Sequence, residues 1–443
     1  MAIVPNVLSA QSYDRKAYTK WQLDKGYDNG IPIGTKITKA NWQQYQQFMS
    51  EGLKTLFAGT HYWHVPDNVE IDVGPTRHYH TPTMYLANSE KYSGQVKLEA
   101  TPDGGYTLNN YTAGRPFLDP LAGDSERAGQ RIYYNNFYRA TDRVDESWNC
   151  SYIQDQYGNA TKTGDVPAVA SQLRFLSDPG FPPDDPNSGG YWTALWAQQA
   201  APEQGKYFTI LTIVPAESGS LEEQYEFIPS LRRSLRVSQA ARCSPVFGTD
   251  DTIEDLNISI PRQGQFFNIK YLGQKKLLAL THAMPESLSP AVCKPPHSPP
   301  VDFFYPISKD VGPFPTPRTG TWEVRDAYVL EFDRLPKLTR GYCYGKRICY
   351  VDKESYWVLY SDVWDTSDRL YKAFILPNAP ASIADGEIYP LSGDSFNIVY
   401  NFQDDHATNF IGTQTCSDKS NGCEPYLDAT VYASPAGLMK VMK

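Results

Sequence analysis

The sequence predicts an α+β protein, mainly antiparallel β: one large curved sheet with few helices to cover it and long loops between strands. Three observations point there. Aromatic residues make up 13% of the 443 residues, alongside 34 Pro and 31 Gly; aromatic side chains favour pleated, half-buried surfaces, and Pro and Gly favour turns. From about residue 95 the apolar residues recur with period two, in short runs broken by turn clusters. Between residues 347 and 376 three such runs follow one another with only tight turns between them. That is an up-and-down antiparallel meander, with no room for a βαβ crossover.

Along the chain, residues 1–38 are polar and Gly-rich without periodicity and are expected to form an irregular arm. Residues 39–443 are expected to form one domain with long loop insertions, since no fixed-period repeat or low-complexity linker divides them. A helix is predicted from Asn41, where Trp42, Tyr45, Met49, Leu53, Leu56 and Phe57 share one apolar face. Asn41 with Gln44 resembles a capping box, and Gly59 supplies the stop. Strands are predicted at 95–100 and from Tyr106, then at 208–214 and 225–229 as a wide hairpin. Others follow at 266–272, 276–280, 322–332, 347–351, 356–364, 369–376 and 395–402. The Pro- and Gly-rich stretch 177–190 reads as a long loop, because strand signals resume directly after it. The chain closes on a short helix with Ser434 as N-cap and Pro435 at its first position.

Composition narrows the function. The formal net charge is −9, the wrong sign for a nucleic-acid footprint, so no nucleic-acid partner is expected. Arg232, Arg233 and Arg236 form the densest basic patch and read as a solvated strand face rather than a phosphate site. No stretch approaches the ~20 apolar residues of a spanning helix, so no membrane-spanning segment is expected. None of the seven cysteines is spaced Cys-x-x-Cys, which argues against zinc and thioredoxin-like sites. Cys416 and Cys423 flank a turn-rich loop and are the disulfide candidate; Cys343 and Cys349 can bond only if Gly345-Lys346 turns a hairpin. An odd count leaves at least one cysteine unpaired within the chain.

There is no Gly-x-Ser-x-Gly elbow, Walker loop, dinucleotide fingerprint or His-Glu-x-x-His in the sequence. The chain is expected to be non-catalytic and to use no cofactor. His61, His64, His78 and His80 are candidate metal ligands, against a reading as polar, aromatic loop surface. Asp404-Asp405-His406 reads as a turn at a strand end. The ligand expectation rests on large apolar residues at strand positions: Trp192, Trp196, Phe208, Leu211, Ile213, Tyr225, Phe227, Tyr328, Leu330, Trp357 and Leu359. Singly each reads as core. Together, on a curved sheet that few helices cover, they would line a groove open to an apolar ligand.

Four segments also resemble, in order, the motifs of a known family. They are Tyr225-Glu-Phe-Ile-Pro-Ser-Leu-Arg-Arg-Ser-Leu-Arg236, Arg242-Cys-Ser-Pro-Val-Phe-Gly-Thr-Asp250, Gly341-Tyr-Cys-Tyr-Gly-Lys-Arg-Ile-Cys-Tyr-Val-Asp-Lys-Glu-Ser-Tyr-Trp357 and Tyr432-Ala-Ser-Pro-Ala-Gly-Leu-Met439. The family is a bacterial envelope family described as outer-membrane lipoprotein-sorting-protein-like, domain of unknown function 1329. The resemblance runs from about residue 40 to the end. It implies the fold of the LolA/LolB superfamily: an incomplete barrel of antiparallel strands with helices lining or lidding an apolar cavity. It also implies export to the periplasm or the outer membrane. The first residues lack a charged stretch before an apolar one, so the leader is expected to be absent from this sequence. The implied function is binding or carrying a lipid-like or other hydrophobic ligand, with an outer-membrane barrel protein and an RND-type exporter as partners. The alternative is a structural subunit docking on such a barrel, exporter or an extracellular assembly. The family has no established catalytic residues to carry over.

Overall fold

The computed structural model describes residues 26–79, 81–141, 143–178, 180–184, 188–237, 242–246, 248–255, 260–281, 283, 303–339, 342–382, 388–417 and 437–440, with backbone alone at 379–396, 413–417 and 439–440. The chain enters through β1 (Lys36–Thr38), a 3-10 turn (Trp42–Phe48), α1 (Glu51–Ala58) and β2 (Glu70–Asp72). β1 lies within the stretch expected to be an irregular arm and pairs with β2. The helix predicted from Asn41 is in two pieces. Ser50 caps the α-helical piece, its Oγ accepting from Leu53 N at 3.1 Å, whereas Asn41 Oδ1 accepts from Thr38 N at 2.8 Å outside the helix. Gly59, at φ 62°, ends α1 where expected.

Two further helices are weakly marked in the sequence, both being polar on average. They are α2 (Thr83–Tyr92) and α3 (Ala128–Phe137). Residues 128–136 of α3 are buried on every side, polar ones included. Between the two helices β3 (Lys97–Ala100) and β4 (Tyr106–Asn109) make the predicted hairpin.

Among the described residues the main sheet has fourteen strands in two meanders. The first is β5 (Val144–Gln154), β6 (Ala160–Gln172), β7 (Tyr191–Gln198), β8 (Thr209–Pro215), β9 (Glu223–Ile228) and β10 (Arg233–Arg236). The second runs through β11 (Phe267–Ala279), β12 (Glu323–Arg334), β13 (Lys346–Asp352), β14 (Val358–Trp364), β15 (Leu370–Ile375), β16 (Asn378–Ser382), β17 (Ile388–Asn401) and β18 (His406–Ser417). β18 returns to pair with β5, giving the order β10-β9-β8-β7-β6-β5-β18-β17-β15-β14-β13-β12-β11, with β16 beside β17. The runs predicted at 266–272 and 276–280 are one strand, β11, bulged where Gly273 (φ 126°) shifts its register with β12. The end strands β10 and β11 do not pair with each other. The fold is an incomplete barrel: mainly antiparallel, curved, with few helices.

Alternation along the strands assigns each face its work. On the outer face of the second meander Tyr350, Tyr360, Ile375, Ile398 and Tyr400 pack with Leu53 and Leu56 of α1. On the inner face Phe267, Leu330, Cys349, Phe374 and Val399 pack with Ile132 and Tyr133 of α3. Each such side chain contributes about 1.5–3 kcal/mol by burial. Gly129 lets α3 lie directly on β11, because a Cβ there would sit 2.1 Å from Ile269 O. On the first meander the outer face buries Trp196, Leu211, Ile213 and Phe227 together with Leu438 of the closing helix α4 (Gly437–Lys440).

Candidate ligand cavity on the inner face

The connection from β10 to β11 crosses the inner face of the second meander. Residues 242–246 and 248–255 of it form a polar strap whose carboxylates are all buried: Asp250, the most exposed of them, is 8% exposed. Most of their oxygens find partners, as burial requires. Asp250 Oδ1 accepts from Asn401 Nδ2 at 3.0 Å and Oδ2 from Thr408 Oγ1 at 2.8 Å; its carbonyl accepts from Lys372 Nζ at 2.5 Å. Asp255 accepts from the Arg347 guanidinium on one oxygen, and from Tyr344 OH at 2.6 Å and Thr252 Oγ1 at 2.8 Å on the other. Burial alone would raise Asp255, but Arg347 and Lys372 outweigh it and hold its carboxyl below the usual range. Glu254 accepts from Arg242 and from Tyr342 OH at 3.1 Å, and Arg242 reaches Glu222 at 2.5 Å. The disulfide Cys243–Cys343 fastens strap to sheet. The sequence motifs around 242–250 and 341–357 are therefore one structural unit.

Beyond the strap the inner face opens. A cavity of about 330 Å³ lies over the first meander. β5 turns Asp145, Ser147 and Asn149 toward it, β6 Val166, Ala168, Ala170 and Gln172, β7 Thr193, Leu195 and Ala197, and β8 Ile210, Thr212 and Val214. Phe137, Arg139, Trp357, Leu376, Asn397 and Phe410 close the opposite wall, and Val246, Thr249 and Asp251 of the strap form one edge. Strands β5–β8, β17 and β18 border the same space from one face of one sheet, so that face is the concave one. Asp251 Oδ1 accepts from Asn397 Nδ2 at 2.8 Å, while Oδ2 has no partner among the described residues. Burial first, then Asp255 and Asp250, push Asp251 up to about 7. Arg139 Nη1 donates to Asn136 O at 3.1 Å, and the guanidinium lies 5.1 Å from the Trp357 ring.

Of the apolar residues named from sequence, Trp192 and Trp357 line this cavity. The others do not. Trp196, Leu211, Ile213, Tyr225 and Phe227 pack on the outer face with α4. Tyr328 and Leu330 belong to the inner core of the second meander, Leu359 to the outer core, and Phe208 packs with Ile210 and Val246. The reason is parity: on β7 and β8 Trp196, Leu211 and Ile213 point to the filled outer face, while Thr193, Leu195, Ala197, Ile210, Thr212 and Val214 point inward. Trp192 escapes this rule where the register between β7 and β8 shifts, between Tyr191 and Thr193. A search for small and mixed-polarity alternation in 145–149 and 166–172 would have found the inner wall.

Among the described residues, His61, His64 and His78 included, no group of three His, Cys, Asp or Glu is placed to hold a metal. His64 Nε2 lies 3.2 Å from Asp310, His78 Nδ1 lies 2.8 Å from Glu354, and His61 packs on the Phe402 ring. His80 lies outside the described residues. So does Cys423, and with it the Cys416–Cys423 candidate. Cys343 is bonded to Cys243 rather than Cys349, which is a buried free thiol. Asp404 and Asp405 sit in the turn between β17 and β18, as expected.

Residues 36–421 match the family described as protein of unknown function (DUF1329). The chain belongs to this family. Among solved structures, a DUF1329 family protein from Desulfovibrio piger is 12% identical, with a TM-score of 0.46 over 71% of this chain and 100% of that one. A LolA superfamily protein from Nitrosomonas europaea is also 12% identical, with a TM-score of 0.36 over 68% of this DUF1329 chain and 99% of its own. No curated protein matches the chain. Among the described residues no helix is long and apolar enough to cross a membrane.

Proposed function

We propose that this DUF1329 protein binds a lipid-like or other hydrophobic ligand in the inner-face cavity and carries it within the cell envelope, without catalysing a reaction on it. One observation supports this above the rest. The sheet face that α3 and the strap fill over the second meander is left as a cavity of about 330 Å³ over the first. Ala168, Ala170, Ala197, Val166 and Leu195 face it, so it is walled largely by short or aliphatic side chains with a few polar groups, the usual character of a small-molecule site. Export is supported by the disulfide Cys243–Cys343 and by the disulfide-bonded state of Cys150, since such bonds persist in oxidising compartments. Delivery to an outer-membrane barrel or an RND-type exporter is the finer part of the same proposal.

The test is to purify the full chain after export, extract it with organic solvent and identify bound molecules by mass spectrometry, beside an Ala168→Trp variant that fills the cavity. A hydrophobic molecule near equimolar with the wild type and depleted from a folded variant is expected. A wild-type protein that carries no such molecule and binds no apolar fluorescent probe would overturn the proposal.

A further inference from the structure

The ionisable side chains that line the cavity are, among the described residues, Arg139, Asp145, Asp251, Asp255 and Arg262. Four of them are engaged by the protein. Asp255 is paired with Arg347. Arg262 Nη1 lies 3.5 Å from Glu222. Asp145 is buried and has a protein partner. Asp251 accepts from Asn397 on one oxygen, and burial raises its carboxyl to about 7, so that it is about half ionised at neutral pH.

Arg139 is the exception. It has no carboxylate within ion-pair distance among the described residues, and its Nε is buried without a hydrogen-bond partner. Nη1 makes one bond, to the carbonyl of Asn136. Two small clefts meet the main cavity at this side chain. Their own carboxylates are taken: Glu354 lies 2.8 Å from both Arg325 and His78, and Asp178 is engaged. Burial lowers the guanidinium to about 10, with no anion to restore it. It remains a cation at neutral pH, held beside Trp192 and Trp357 at the end of an apolar space.

A guanidinium so placed is satisfied by a carboxylate or phosphate, which can accept from Nε and Nη together. We infer that the ligand is an anionic amphiphile whose head group is held by Arg139, with its apolar part along Val166, Ala168 and Leu195. This rests on the cavity being a hydrophobic-ligand site, and adds the charge and the position of the head.

The experiment is displacement of the apolar probe N-phenyl-1-naphthylamine from the full chain by dodecanoate, dodecyl phosphate, dodecanol and dodecyltrimethylammonium. The wild type is expected to bind at least one of the two anions about tenfold more tightly than dodecanol, the size of one charge-assisted hydrogen bond, and the cation most weakly. Whichever anion binds tighter identifies the head as carboxylate or phosphate. Arg139→Gln should lose that tenfold while holding dodecanol within about twofold, and Arg139→Lys should recover part of it. Equal binding of anions and dodecanol, a preference for the cation, or an equal loss of all ligands in Arg139→Gln overturns the inference and leaves the cavity as a neutral-ligand site. No probe binding to the wild type removes the proposed function itself. Should Arg139→Gln fail to fold, the ranking of head groups on the wild type still decides.

Discussion

Replacing Asp255 with Ala would remove a buried carboxylate from the Arg347 guanidinium in the interior, where the two side chains are 0% and 2% exposed. In the native protein one Asp255 oxygen serves Arg347 and the other serves Tyr344 OH, Thr252 Oγ1 and Thr252 N. What remains for the guanidinium after the change includes Ser361 Oγ at 3.3 Å. Breaking a buried pair from one side costs about 3–5 kcal/mol, and the orphaned hydroxyls add roughly 1 kcal/mol each. The sum is comparable to the whole stability of many domains, about 5–15 kcal/mol. Asp255→Asn keeps an acceptor for Tyr344 and Thr252 and should cost less. Asp255→Leu with Arg347→Met removes both charges and should recover most of the loss. The measurement is urea unfolding near pH 7, followed by tryptophan fluorescence.

The pH dependence has a definite sign. The folded carboxyl of Asp255 is held below its unfolded value, so its contribution is present above about pH 4 and is lost as pH falls through the folded value. The difference between wild type and Asp255→Asn should therefore shrink only on the acid side of about pH 4. If Asp255→Ala unfolds within about 0.5 kcal/mol of wild type, or the apolar double variant is no better than Asp255→Ala, the strap is not held as described.

Two other perturbations test separate parts of the molecule. Asp362 is fully buried under the start of α1, and burial pushes it up to about 7; a raised carboxyl favours the folded state below its unfolded pKa and loses that favour as pH rises. Over the window from about 4 to 7 this amounts to roughly 4 kcal/mol, so Asp362→Asn should flatten the fall in stability between about pH 4 and pH 7.5, and an unchanged slope would refute the assignment. Cys243→Ser with Cys343→Ser opens a link between residues 100 apart, worth about 4–5 kcal/mol in the chain-entropy picture; an unchanged urea midpoint would mean that the ion pairs alone hold the strap.

What could be read from the sequence follows what each strand faces. β13, β14 and β15 lie between two filled cores, so both faces demand apolar residues, and Asp352 and Asp365 make the turns explicit through hydrogen bonds to the backbone that follows. β5 and β6 border the cavity, where Asp145, Ser147, Asn149 and Ala170 meet no core. Their alternation is correspondingly faint, and neither was recognised. The same cause sets most of the residues named from sequence apart from the cavity wall. Large side chains such as Trp196 and Leu211 mark the face that is full, and a cavity is where large side chains are missing. α3 is weakly marked for a different reason, since polar residues such as Gln130, Arg131, Asn135 and Asn136 are buried beside its apolar ones.

The strap explains why one face of one sheet behaves in two ways. Apolar residues of similar size would have filled the space over the second meander at least as stably, because buried ion pairs roughly break even against well-packed hydrophobic groups. Directional contacts accomplish something burial does not. Arg347 fixes Asp255, Asn401 and Thr408 fix Asp250, and Asn397 fixes Asp251, so the strap has a single register against β13, β17 and β18. Two of these fixed carboxylates, Asp251 and Asp255, stand at the edge of the cavity. The cavity thus ends where the hydrogen-bonded carboxylates end, and a strap free to slide by one residue would carry Val246 and Thr249 off the same edge. The polar network is better understood as the boundary of the cavity than as a store of stability, which is why the Asp255→Leu, Arg347→Met double variant should keep its fold while losing a sharply defined cavity.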